Sequence, residues 1–278
     1  MNKKLRIGEI SYSNCTPIYS TLKKRFDCSG YEFVPGDPAT LNAMLASGEI
    51  DVSASSSIEY ARHCGEYLII PDISISADGE VRSILLFSGK PIERLDGEMV
   101  AVSSASATSA VMLKALLKGR YGIDANYVAR KPELVTMLEG CAAALLIGDE
   151  ALKERKALPE GSGMHVYDLG LLWREFTGLS FVFALWMVRE DTAIRSPALV
   201  NRLAGDLSAA KELAARDFDD IAREAPEASW MGAGELADYW RLISYDLGEG
   251  HIMGLKMFFR MAHDLGEVRG CPELRFLK

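Results

Sequence analysis

Small polar side chains gather at three places where an apolar run gives way to a helix-like one. The run Ser11-Tyr12-Ser13-Asn14-Cys15-Thr16-Pro17 follows the strand-like Leu5–Ile10. An asparagine amide there can donate to and accept from a ligand hydroxyl. Thr16 suits an N-cap and Pro17 the first helical position, so the free N–H groups of that helix face the same crevice and favour a small anion. Asn14 is equally suited to a turn closed on its own backbone. Ser104, Ser106, Thr108 and Ser109 precede an Ala/Leu-rich segment. One hydroxyl suffices as a cap, and the others suit a carboxylate or phosphate. The third run, Ser53-Ala54-Ser55-Ser56-Ser57-Ile58-Glu59-Tyr60, holds Glu59, either an acid–base group or a complement to the positive end of a helix. Asp149, after Leu145-Leu146-Ile147-Gly148, either accepts a substrate hydroxyl or caps the next helix.

Other chemistries find no support in the spacing. His63, His165, His251 and His263 lack metal-ligand spacing, so no metal is expected. Five dispersed cysteines without a C-x-x-C pair suggest neither a disulfide framework nor zinc. Dinucleotide-binding, P-loop and nucleophile-elbow patterns do not occur, and Ser109 has no nearby histidine base. The formal charge of −8 argues against a nucleic-acid partner, which needs a clustered basic face. The N-terminal Lys3, Lys4 and Arg6 are followed by no apolar signal stretch, so a reduced, cytoplasmic protein is expected. The densest apolar run, Phe181–Val188, is far short of the roughly 20 residues of a membrane span and reads as a buried strand, so no membrane partner is expected.

The positioning elements repeat. Strand, helix, strand, helix, strand over Leu5–Ser53 returns over Met99–Ile147, with a constant offset of 94 residues from Asn14 to Thr108 and from Pro38 to Pro132. Asp37-Pro38 opens a helix with apolar stripe Leu41, Met44, Leu45 and stop Gly48; Pro132, Leu134, Met137, Leu138 and Gly140 do the same. An α/β protein of two similar lobes is expected, each presenting polar strand ends to a shared cleft. Val81–Ser88 and Phe181–Arg189 are the segments that carry the chain between lobes, making a double-crossover hinge. The expected lobes are 1–87 plus 189–278, the latter including C-terminal helices, and 88–188.

Taken in order, Ile10-Ser11-Tyr12-Ser13-Asn14, Gly48-Glu49-Ile50-Asp51-Val52, Ser56-Ser57-Ile58-Glu59-Tyr60, Pro71-Asp72-Ile73-Ser74-Ile75 and Val81–Ser88 resemble the chorismate dehydratases of the futalosine route to menaquinone. The series continues through Ala107-Thr108-Ser109, Leu146–Asp149, Tyr167–Gly170 and Trp173–Ala184, so the resemblance spans residues 6–190. One departure is Ser180, where the family commonly has proline.

The resemblance implies a two-lobed fold like type II periplasmic binding proteins. It also implies loss of water from chorismate to give 3-[(1-carboxyvinyl)oxy]benzoate, a carbon–oxygen lyase reaction without a cofactor. By the same resemblance Asn14 meets the leaving hydroxyl and Ser83 orients the substrate. Thr108 and Ser109 hold one carboxylate, while Ser11, Ser56 and Ser57 contact the other end. The substrate's enolpyruvyl carboxylate takes the proton, with Glu59 and Asp149 as alternative bases. Two alternatives stand beside this reading. One is an enzyme like the pathway's cyclic dehypoxanthinyl futalosine synthase, whose catalytic histidine near the second-lobe strand end is replaced here by Gly148-Asp149. The other is a non-catalytic protein that binds a small anion.

Overall fold

A computed structural model describes residues 4–104 and 107–278. The chain opens with β1 (Leu5–Ile10), a 3₁₀ turn (Ser13–Cys15), α1 (Thr16–Arg25), β2 (Tyr31–Gly36), α2 (Pro38–Ser47), β3 (Val52–Ser56), α3 (Ser57–Arg62) and β4 (Tyr67–Ala77). A second unit holds β5 (Ile84–Ser88), β6 (Met99–Ser103), α4 (Ala107–Tyr121), β7 (Asn126–Arg130), α5 (Leu134–Leu138), β8 (Ala143–Ile147), α6 (Gly148–Ala157), β9 (His165–Asp168) and α7 (Leu169–Thr177). The chain returns on β10 (Phe181–Arg189) and ends in α8 (Glu190–Arg195), α9 (Pro197–Arg216), α10 (Phe218–Glu224), α11 (Ala228–Met231), α12 (Ala233–Leu242), β11 (Ile243–Ser244) and α13 (Glu249–Asp264).

Two sheets result, ordered β11-β4-β10-β3-β1-β2 and β7-β6-β8-β5-β9. In each, a parallel trio (β2-β1-β3 and β7-β6-β8) is extended by one antiparallel strand from across the crossover, β10 beside β3 and β5 beside β8. The parallel strands are joined by helices, as parallel pairing demands. β5 belongs to the second sheet and β10 to the first, and the chain passes between the sheets at 78–83 and 178–180. Ile84–Ser88 and Phe181–Val188 are buried along their whole length, so neither shows the alternation that would betray its sheet.

The helical start signals act as their residue types dictate. Asp37 caps α2 through Thr40 N–H at 3.0 Å, Pro38 follows, and Gly48 closes the helix with φ +80°. Asp51, just before β3, receives Arg6 of β1 through two side-chain hydrogen bonds (3.0 and 2.8 Å) and its backbone N–H (2.9 Å). Burial alone would raise the Asp51 carboxyl, but these donors hold it below its usual value. That pairing fixes the relative position of the two strands whose ends carry Asn14 and Ser56.

Several family landmarks prove to be crossover hardware. Asp168 caps α7 through Leu171 N–H, and its other oxygen accepts from the N–H groups of Val81 (3.0 Å) and Arg82 (2.6 Å). Arg82 is thereby held at φ +59°. A Cβ on Gly170 would lie 2.4 Å from the carbonyl oxygen of Gly79, so only glycine lets α7 approach this passage. Asp78 of the first passage accepts from Ser180 Oγ of the second at 3.1 Å and pairs with Arg174 at 2.6 Å, which gives the serine at the usual proline position a partner. A Cβ on Gly254 of α13 would meet Ser180 O at 1.9 Å, so the last helix seats directly on the return passage.

One apolar core runs through both lobes, and a smaller one lies on the other face of the second sheet around Phe87, Met137 and Leu146. Among the described residues no helix is long and apolar enough to cross a membrane.

The loop before α13 is pinned by His251. Its Nδ1 accepts from Gly248 N–H at 3.2 Å, so Nε2 carries the proton and donates to Ser244 Oγ at 3.0 Å. Burial lowers the His251 pKa below 6.5, so the unfolded chain binds more protons than the folded one in that interval. Stability is therefore expected to be lost as pH falls through the region just below 6.5, and His251→Gln should flatten that slope. Urea midpoints between pH 7 and pH 5 test this; equal slopes in both proteins would refute it.

Candidate active site

The carboxyl ends of β1, β3 and β8 meet across the gap between the lobes, as open α/β sheets require of a ligand crevice. The pocket there is a narrow cleft with a cavity of about 60 Å³, partly open to solvent. Its apolar walls include Ile10, Ile75, Ile84, Ile147 and Phe183, and its polar rim comprises Tyr12, Asn14, Ser56, Thr108 and Ser109. The caps or first residues of five helices line it: Cys15 for α1, Pro38 for α2, Ser56 for α3, Ala107 for α4 and Gly148 for α6. Their positive ends converge on one space, which favours an anion without a cationic side chain. Among the described residues on its wall there is no lysine, arginine, histidine, aspartate or glutamate.

Asn14 sits in the 3₁₀ turn, and its Oδ1 is buried with no hydrogen-bond partner. A buried amide oxygen left so is costly unless a ligand donates to it. The turn itself is held by its backbone: Tyr245 OH donates to Asn14 O and Trp240 Nε1–H to Ser13 O, both at 2.8 Å. From the second lobe, Asp149 Oδ1 accepts from Ser13 N–H (3.0 Å) and Ser13 Oγ (2.5 Å). Burial raises the Asp149 carboxyl, and the Ser13 donors partly offset this.

The other expected residues divide. Ser56 and Ser109 line the pocket. Thr108 lines it as well, but its Oγ1 accepts from Ile58 N–H at 3.2 Å and lies 3.4 Å from Ser57 Oγ. Ser57 Oγ donates to Val182 O at 2.8 Å, so this buried pair ties α3 to α4 across the cleft. Ser11 is exposed and faces an outer groove beside Lys23 and Lys24, because alternation along the strand end points it away from Ile10. Ser83 is 2% exposed and lies behind the wall, with Oγ to Val81 O at 3.3 Å and its carbonyl accepting from Gly148 N–H at 2.7 Å. Glu59 points away, paired with Arg62 at 2.8 Å and His63 at 3.8 Å. Asp149 faces Ser13 rather than the pocket wall. Ser104 is exposed, and Ser106 lies outside the described residues.

Residue patterns did not single out Tyr12, Ser13, Trp240 or Tyr245. The first two lie inside the strand-end run, where a period-2 reading separates Tyr12 from Ser13; the other two come from the C-terminal helical region, where no local signal ties them to Asn14. Tyr12 packs on Gly148, whose φ is +64° and whose Cβ would fall 2.8 Å from the ring. Burial pushes the Tyr12 phenol pKa up, which keeps it neutral. Among the described residues no three His, Cys, Asp or Glu side chains form a metal-holding group.

A family model described as menaquinone biosynthesis matches residues 5–264. The chain is 33% identical over 268 residues to the chorismate dehydratase of Thermus thermophilus, covering 91% of this chain and 93% of that one. It is 32% identical to that of Campylobacter jejuni over 67% of this chain and 69% of the relative. Among solved structures, a protein of Archaeoglobus fulgidus superposes with TM-score 0.78 at 21% identity, over 95% of this chain and 98% of that one. The alkanesulfonate-binding protein SsuA of Xanthomonas axonopodis, bound to MOPS, superposes with TM-score 0.68 at 16% identity over 99% and 96%. At such identities these two establish the periplasmic-binding-protein-like fold alone.

The Tyr12–Gly148 contact yields a test. Gly148→Ala forces a Cβ into the ring and a left-handed backbone on alanine, and is expected to cost about 1–2 kcal/mol and to weaken ligand binding. Thermal unfolding and calorimetric titration with the substrate anion would show it; unchanged values for both would refute the contact's role.

Proposed function

Because the chain belongs to the menaquinone biosynthesis family, we propose that it is a chorismate dehydratase, a carbon–oxygen lyase releasing water and 3-[(1-carboxyvinyl)oxy]benzoate. The observation that carries the reading is the buried, unpartnered Asn14 Oδ1 in a pocket rimmed by helix N-termini. A dicarboxylate with one ring hydroxyl suits both features. The hydroxyl donates to Oδ1, and the amide N–H of the same side chain can donate to the oxygen as it leaves.

The reaction removes hydroxide from one ring carbon and a proton from its neighbour, the one bearing the enolpyruvyl ether. The electron pair of that C–H bond completes the aromatic ring. What the protein must supply is orientation and fixed donors. In this reading Ser56 and Ser109, with the first N–H groups of α4, hold carboxylate oxygens; Thr108 adds its hydroxyl while keeping the lobes together. Ser83 acts from behind the wall by holding Gly148 N–H, which fixes the start of α6. The enolpyruvyl carboxylate is the base in this scheme. The uncharged pocket wall supports that assignment, as does the pairing of Glu59 with Arg62.

Incubation with chorismate is expected to yield an aromatic product by absorbance and mass. Asn14→Ala and Asn14→Asp should lower kcat by about 10²–10³ while the fold is kept. Glu59→Gln should remain within about 10-fold of the parent, since general-base catalysis contributes 10² or more. No aromatic product from the parent protein would overturn the function. Parent-like turnover in both Asn14 variants would overturn the residue's role.

A further inference from the structure

Asn14 lines the pocket with its Oδ1 unpartnered and its backbone carbonyl taken by Tyr245, so the aim of its side chain depends on whatever holds the turn. Two of the three ties come from the first lobe's C-terminal region, Trp240 and Tyr245, and grip successive carbonyls. The third comes from the opposite lobe. Asp149, at the start of α6 and 9% exposed, takes both the N–H and the hydroxyl of Ser13 with a single carboxylate oxygen.

The same face of α6 continues this docking. Lys153 lies over the Trp230 ring at 5.0 Å, and Lys156 donates to Met231 O at 2.9 Å and pairs with Glu235 at 2.6 Å. Residues 149, 153 and 156 are spaced as one helical stripe. All of their partners lie in the first lobe, on the 3₁₀ turn or on α11 and α12.

We infer that Asp149 is a positioning residue that fixes the turn carrying Asn14 when α6 docks, so that the side chain meeting the substrate is aimed only with the two lobes together. The inference deepens the role given to Asn14 and rests on it. It takes Asp149 out of both direct substrate contact and proton abstraction. Its carboxylate works as an acceptor, and an amide oxygen in the same place can accept the same two bonds.

The test compares Asp149→Ala with Asp149→Asn in the full-length protein. Asp149→Ala should lower kcat for chorismate by about 10²-fold, with KM changed by less than about 3-fold. Asp149→Asn should recover most of that loss. In the ligand-free protein, the Asn14 side-chain amide resonances, identified by their loss in Asn14→Asp, should shift in Asp149→Ala and stay near their parental positions in Asp149→Asn. Should Asp149→Ala fold poorly, Ser13→Ala, which deletes only the hydroxyl bond, should move the same resonances by less. If the parent does not convert chorismate, the assigned function fails, and the amide resonances still judge the positioning. Unmoved resonances in both Asp149→Ala and Ser13→Ala would overturn the inference. So would an Asp149→Asn enzyme as inactive as Asp149→Ala with its Asn14 amide undisturbed, since the carboxylate would then act in the reaction itself.

Discussion

The exchange of one strand between the two halves is the constraint on which the rest of the molecule depends. β5 leaves the first unit and pairs antiparallel with β8, and β10 returns to pair antiparallel with β3. Each sheet is thus completed by a strand that arrives from the other lobe. With both parallel trios so anchored, the carboxyl ends of β1, β3 and β8 face one gap. The two passages are short, tied to each other through Asp78, and cinched by Asp168 against Val81 and Arg82. A wide slide of one lobe over the other would break these bonds, whereas rotation about the passages leaves the sheets intact.

In the proposed reading the gap recognises charge without carrying it. The protein is acidic overall, and the described pocket wall has no charged side chain, yet residues at the starts of five helices line it. Helix dipoles and hydroxyls in an apolar surround are fixed before the ligand arrives, so little reorganisation opposes binding or reaction. A cation there would favour the anion more strongly but would also hold the leaving oxygen and the product carboxylates. An asparagine amide, neutral and two-sided, suits a hydroxyl that begins as a hydrogen-bond donor and ends as water.

The C-terminal helices are more than a cover for the first sheet. Trp240 and Tyr245 reach under the cleft and take the carbonyls of Ser13 and Asn14. Tyr245 is held by a loop that His251 pins through Ser244 and Gly248. A surface-side histidine, an aromatic clamp and the buried asparagine thus form one supported line from solvent to site. Asp149 joins it from the other lobe. Buried polar groups of this kind cost free energy unless every one is paired, which makes their geometry stringent.

Much of this was legible in the residues themselves. The 94-residue offset between Asn14 and Thr108 marked the duplication, and Asp37-Pro38 with Gly48 marked a helix whose caps are observed. Asn14, Ser56, Thr108 and Ser109, which line the pocket, stand out in the sequence because strand ends and helix starts are local events, written in neighbouring residues. What the sequence could not assign was partnership. Val81–Ser88 and Phe181–Arg189 read as strands, but continuous burial hides which sheet each joins. Asp149 reads as a cap or ligand group and Glu59 as an acid–base group or a helix-end complement, while Ser83 enters only through the family resemblance, because nothing local distinguishes a side chain facing the cleft from one turned to a neighbour. Ser13 to Asp149 and Asn14 to Tyr245 are bonds between segments 136 and 231 residues apart. Such contacts depend on how whole sheets pack, and only the folded chain brings them within hydrogen-bonding reach.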